Sequence, residues 1–218
     1  MLTTLLPPTS GSARVGGFDI VRQAASVRRA IGYVPQLISA DGGLTGYENL
    51  LIFAKLYDLP RAQRKTRVQD ALAFMGLSDA ADRLVNQYSG GMIRRLEIAQ
   101  SMRHRPDVLF LDEPTVGLDP LARKAIWDHI LRLQDDHGTT IFLTTHLTEE
   151  ADAFCSRMAI MHLGKNAAIG SPADLKGSHG APGATLDDVF IHFSSNRADP
   201  GERYRETSSA RRTARRMS

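Results

Sequence analysis

The sequence has one cysteine, Cys155, in 218 residues. A single thiol excludes an internal disulfide and a cysteine-based metal site, and fits a protein of the reducing cytosol. Aromatic residues are scarce, at 6%, so the core has to be mainly aliphatic. No apolar run approaches the roughly 18–20 residues that a membrane-spanning helix needs. Met1 to Leu6 is apolar, but it lacks a basic leader and meets Pro7-Pro8 at once, so it does not read as a secretory signal. Basic charge is also less general than the net +3 implies. Ser194 to Ser218 carries seven arginines against Asp199, Glu202 and Glu206, a net +4, and +3 less that +4 leaves −1 for the body. The basic stretch is expected to be a solvated, disordered tail, and no nucleic-acid partner is expected.

What remains is 42% apolar, enough for one large domain or a domain with a subdomain. Ser12–Val15 and Phe18–Ile20 around Gly16-Gly17 predict a short hairpin. Ile31 to Val34 predicts a strand ending at Pro35-Gln36. Apolar residues at helical spacing predict one helix from Thr45 to about Tyr57, and a second after Pro60 that stops at Gly76. A third opens at Ser89-Gly90-Gly91. Val108–Leu111, Thr140–Thr144 and Met158–Met161 are continuous apolar runs of the kind that parallel strands buried on both faces require. Helices are expected at Pro120–Asp136 and from Thr148. Helix alternating with buried strand argues an α/β fold with a mostly parallel sheet, and the strand-free block from about 37 to 105 reads as an inserted α-helical subdomain.

Four features carry chemistry. Asp112-Glu113 closes the first apolar run. At the carboxyl end of a parallel strand a carboxylate can hold Mg²⁺, a cation that prefers oxygen, and a second can orient or deprotonate a water. Acidic residues also end strands simply because the chain returns to solvent. Ser89-Gly90-Gly91-Met92 starts a helix whose first amides favour an anion, though an ordinary N-cap reads the same way. His146 follows a strand and can hydrogen-bond a phosphate. Gln36 ends a strand with an amide that can coordinate a metal.

In order, Tyr88-Ser89-Gly90-Gly91-Met92, Leu111-Asp112-Glu113-Pro114-Thr115, Gly117-Leu118-Asp119-Pro120 and Thr144-Thr145-His146 closely resemble the ATP-binding cassettes of ABC transporters, over residues 1 to 193. Gly91 to Ala99, Pro114 to Pro120 and Thr185 to Phe190 look like the daunorubicin/doxorubicin-resistance type of exporter ATPase. The resemblance implies a P-loop NTPase-like fold, with ATP and Mg²⁺ as ligands. It also implies a second cassette and a membrane-spanning permease as partners, and a cytoplasmic place on the inner face of the membrane. Glu113 corresponds to the general base, His146 to the switch histidine, and Asp112 and Gln36 to the groups around Mg²⁺. Ser89, Gly90, Gly91 and Met92 correspond to the signature, with Met92 where many members have Gln, and Asp119 to the D-loop. The resemblance places permease docking on the helical subdomain, especially Leu44 to Leu50.

A phosphate loop reads G-x-x-x-x-G-K-[ST]. Of the five lysines, only Lys165 follows a glycine, and Asn166 comes next. By the resemblance, Met1 to Gly11 corresponds to the end of the helix that such a loop opens, so the chain is expected to be an N-terminally truncated cassette. Three readings follow. The chain is a shortened version of an ordinary exporter ATPase, an inert cassette that acts as a binding partner, or a non-transport ABC ATPase. The last fits least, because the insert is modest and there is one cassette.

Overall fold

The computed structural model describes residues 1–102, 105–178 and 183–195. The chain divides into two compact units, Met1–Thr144 and Thr145–Ser218. The tail expected from residue 194 lies, from 196 onward, outside the described residues.

In the first unit, β1 (Arg14–Val15) and β2 (Phe18–Asp19) form the expected hairpin. After it, α1 (Ala24–Ala30) leads into β3 (Ile31–Val34). Val15, Ile20, Val27, Ile31 and Phe110 close a small apolar cluster there. The main sheet has three parallel strands in the order β3, β4 (Val108–Asp112), β5 (Thr140–Thr144). The register pairs Val34 with Leu111 and Asp112 with Thr144, so the functional ends of all three strands lie on one side of the sheet.

Between β3 and β4 the chain is helical, as expected: α2 (Gly46–Leu56), α3 (Arg61–Phe74), two short 3₁₀ turns and α4 (Gly90–Met102). Helix α2 starts at a capping box. Glu48 N–H donates to Thr45 Oγ1 at 3.1 Å, and Thr45 N–H donates back to Glu48 Oε2 at 2.8 Å. Helix α5 (Pro120–His137) starts with Asp119 as N-cap and proline at N1, and ends at Gly138 in the left-handed region. Helix α4 lies against β3 so closely that a Cβ on Gly32 would stand 2.6 Å from the Ser101 carbonyl oxygen; only glycine fits there.

The second unit is built from α6 (Thr148–Phe154), β6 (Met158–His162), β7 (Lys165–Gly170), α7 (Pro172–Ser178) and α8 (Leu186–Ser195). Ala151, Ile160, Leu175, Leu186 and Val189 form its core.

Three expectations are corrected. Residues 1–6 form turns and bends, not the end of a helix. Run β5 is not buried on both faces: Thr140, Phe142 and Thr144 are exposed, and beyond β4 it pairs with no other strand among the described residues. Run β6 exposes Ala159 and Met161, and pairs antiparallel with β7 across a two-residue turn. An apolar run implies two covered faces only if elements exist to cover both.

Candidate functional site

The site grows from the carboxyl ends of β4 and β5. Asp112 is half-buried, and its Oδ1 accepts from Thr144 Oγ1 at 2.5 Å. The next residue, Glu113, has φ +49°, a left-handed conformation that a residue with a side chain seldom adopts. Its N–H donates to the Thr144 carbonyl at 3.0 Å, which holds the turn open. Strain of this kind tends to persist where surrounding bonds over-determine the backbone. Thr144 therefore positions both carboxylate residues, a role that sequence reading missed; the only available signal was a hydroxyl residue at the end of an apolar strand. On the neighbouring strand, burial first and the Asp112 carboxylate second push the Tyr33 phenol up.

Helices α4 and α5 begin side by side. The Ser89 hydroxyl accepts from Met92 N–H at 3.3 Å, and Asp119 Oδ1 accepts from Ala122 N–H at 2.9 Å. Ser89 and Gly90 are exposed, while Met92 is half-buried. Gly91 is buried, and a Cβ there would meet the Ala122 Cβ at 2.9 Å. Gly91 is thus needed for helix packing, before any ligand is considered. Asp119 uses its carboxylate on its own helix, so it fixes the start of α5 whatever else it does. Two adjacent helix N-termini present amides and positive dipole ends, an arrangement that favours a phosphate.

Gln36 is exposed after β3, and its backbone is anchored from α4. Arg94 donates from Nη1 to the Pro35 carbonyl at 2.7 Å and from Nη2 to the Gln36 carbonyl at 3.0 Å. Asp112 and Gln36 offer the oxygen donors that suit Mg²⁺, and they follow paired strands. His146 belongs to the second unit, exposed in the bend between Thr144 and α6. In that bend the Thr145 hydroxyl accepts from Leu147 N–H at 3.0 Å and donates to Glu150 at 3.1 Å. Gln36, Ser89–Met92, Asp112, Glu113 and Asp119 all belong to the first unit, with Asp112–Glu113 at the end of β4 and Ser89–Met92 beside Asp119 at the paired helix starts.

The ABC transporter family profile matches residues 1–116. The chain is 44% identical over 199 residues to the daunorubicin/doxorubicin resistance ATP-binding protein DrrA of Streptomyces peucetius, covering 91% of this chain and 59% of that protein. It is 38% identical over 175 residues to the linearmycin resistance ATP-binding protein LnrL of Bacillus subtilis, covering 80% and 56%. The chain therefore spans less than two thirds of the length of these curated relatives. Among solved structures, the ATP binding subunit of an ABC transporter superposes with a TM-score of 0.76 at 26% identity, over 88% of this chain and 80% of that one. The cbiO1 protein of Clostridium perfringens, part of the ABC transporter complex cbiONQ, superposes with a TM-score of 0.72 at 28% identity, over 80% and 71%.

Proposed function

The chain belongs to the ABC transporter family, and from that premise we propose that it is the ATP-binding and ATP-hydrolysing subunit of an exporter. It drives a drug or other hydrophobic compound through a separate membrane permease. The observation that carries this reading is the end of β4, where Thr144 holds Asp112 by its side chain and Glu113 by its amide.

In this reading Glu113 is the general base that takes the proton of the attacking water. Asp112 and Gln36 would hold Mg²⁺, which would neutralise phosphate charge. Ser89, Gly90, Gly91 and Met92 grip the γ-phosphate of an ATP whose other side is held by a second cassette. Asp119 fixes the neighbouring helix start, and His146 contacts the γ-phosphate on its own side. No G-x-x-x-x-G-K-[ST] occurs in these 218 residues, so the cradle for the β- and γ-phosphates has to come from elsewhere.

Exposed apolar residues beside the expected Leu44–Leu50 segment support docking on the permease. Within Leu44–Leu50, residues Gly46, Asn49 and Leu50 are buried. The exposed apolar side chains are Leu37 (82%) and Ile38 (64%) after Gln36, and Ile52, Leu56 and Tyr57 on and just after α2. A cavity of about 220 Å³, lined by Tyr33, Ser39, Phe53 and Tyr57 among others, opens beside them. These features favour an apolar partner segment there. The subunit then sits on the cytoplasmic face of the membrane; no described helix is long and apolar enough to cross it.

Transport by the assembled exporter tests the proposal. Glu113→Gln lowers ATP turnover by roughly 10²–10⁴-fold, the usual worth of a general base, and stops efflux while the complex with the permease survives. Turnover of the assembled exporter, with the phosphate loop supplied, left unchanged by Glu113→Gln contradicts it. A second reading, in which the chain lends its signature to ATP held by an intact partner, is favoured by the contrast between a fully built α4 end and the missing loop. The DNA ahead of the Met1 codon separates the two: an in-frame Gly-Lys-Ser/Thr loop supports hydrolysis by this subunit itself, and a stop codon supports lending.

A further inference from the structure

The segment that follows β3 is tied down from two helices, and the ties come from buried side chains. Arg94 and Glu97 are buried in α4, 7% and 2% exposed, and pair at 3.1 Å. A buried ion pair in a helix that could carry two leucines needs a reason, because burying charge is costly unless every group is satisfied. Here the reason lies outside the pair. Besides pairing with Glu97, Arg94 donates to the carbonyls of Pro35 and Gln36. Glu97 Oε1 accepts from Ser39 N–H at 2.5 Å, from the Ser39 hydroxyl at 3.0 Å and from Ala40 N–H at 3.4 Å. One member grips the start of the loop by its acceptors, and the other grips the end by its donors. Asn49 of α2 adds a third tie, accepting from Asp41 N–H and donating to the Asp41 carbonyl, both at 2.9 Å. Between the grips, Leu37 and Ile38 project into solvent.

We propose that Arg94 and Glu97 are positioning residues that fix the Gln36 loop to the signature helix, so that the apolar pair Leu37–Ile38 and the Ser89–Gly91 end move as one piece. The α4 backbone runs from Gly90 straight to both side chains, which makes the link rigid. A displacement imposed on Leu37–Ile38 by an apolar partner then reaches the phosphate-facing end of α4 without passing through the sheet. That consequence rests on the function proposed above; the clamp itself does not.

Amide hydrogen exchange on the 218-residue chain tests the clamp. Losing a charge-assisted hydrogen bond speeds opening by roughly 10- to 100-fold. The Ser39 and Ala40 amides are expected to exchange that much faster in Glu97→Met. Glu97→Gln, which keeps an acceptor at Oε1, falls between it and the parent. The exchanged pair Arg94→Glu with Glu97→Arg does not restore protection, because the loop end needs an acceptor and the loop start needs donors; a simple charge pair would be restored. Arg94→Met with Glu97→Met removes both charges, so it keeps a folded core and tests the same amides if a single variant unfolds. Protection of the β4 amides serves as the folding control. Unchanged exchange at Ser39 and Ala40 in the double Met variant, with β4 protected, overturns the clamp. So does full restoration by the exchanged pair. Binding to the permease separates the two levels: a loosened loop with unweakened binding leaves the clamp standing and removes Leu37–Ile38 from the docking surface.

Discussion

Helix α4 mixes charged with apolar residues and strand β5 is an apolar run, yet it is the helix that is the better covered. Every residue of α4 from Leu96 to Met102 is buried, and its start packs on α5 through Gly91 and Ala122. Strand β5 is paired along one edge and exposes alternate residues, Phe142 to 46%. The Ser89–Met92 end is therefore well packed, whereas among the described residues the strand that carries Thr144 has an exposed face and an unpaired edge. Local geometry at a helix start can thus be fixed by packing while a neighbouring strand keeps an exposed face.

The largest test of this contrast is core truncation. Leu96→Ala in α4 removes a fully buried side chain and is expected to cost about 3 kcal/mol, within the usual range for such changes. Phe142→Ala on β5 loses only a half-exposed ring and its contact with Phe110, centroids 5.1 Å apart, for about 1 kcal/mol. Chemical denaturation of the two variants checks the order; equal losses would break the comparison.

Thr45→Ala removes the hydroxyl of the α2 capping box and is expected to cost about 1 kcal/mol. Hydrogen bonds from Thr45 also hold the Glu48 carboxyl below its ordinary value. A carboxyl lowered on folding adds stability above its unfolded value, and that share disappears as pH falls through the folded one. Denaturation of parent and variant at neutral pH and near pH 4 should show a smaller gap in acid.

The smallest effect concerns His129 on α5, whose Nδ1 is buried without a hydrogen bond among the described residues and whose ring lies 6.0 Å from Phe74. Burial first, then Arg95 and Arg132, lower its pKa below the ordinary 6.5. The unfolded chain then binds the proton more readily, so stability falls as pH drops below 6.5. His129→Phe should flatten that part of the stability curve; an unchanged slope would contradict the assignment.

Much of this architecture was legible because its signals are local. The run Val108–Leu111, the serine before two glycines and the proline after Asp119 each fix a strand or a helix start by nearby chemistry. Residues brought together over distance were not legible. Arg94 and Pro35 lie 59 positions apart, and nothing in either neighbourhood announces the bond. The β6–β7 hairpin was missed for a different reason. Its turn places Leu163 at φ +47° and Gly164 at φ +73°, a geometry normally announced by Asn-Gly or Asp-Gly. The exposure of β5 was misread because an apolar run reports what a strand can bury, not what is present to bury it.

ATP hydrolysis by the 218-residue chain, beside its Glu113→Gln variant, tests the central contrast most directly. No difference between them is expected: Asp112, Glu113 and the Ser89–Met92 helix start are in place, but no G-x-x-x-x-G-K-[ST] loop lies in these 218 residues to bring ATP to Glu113. Clear turnover that Glu113→Gln abolishes would contradict it.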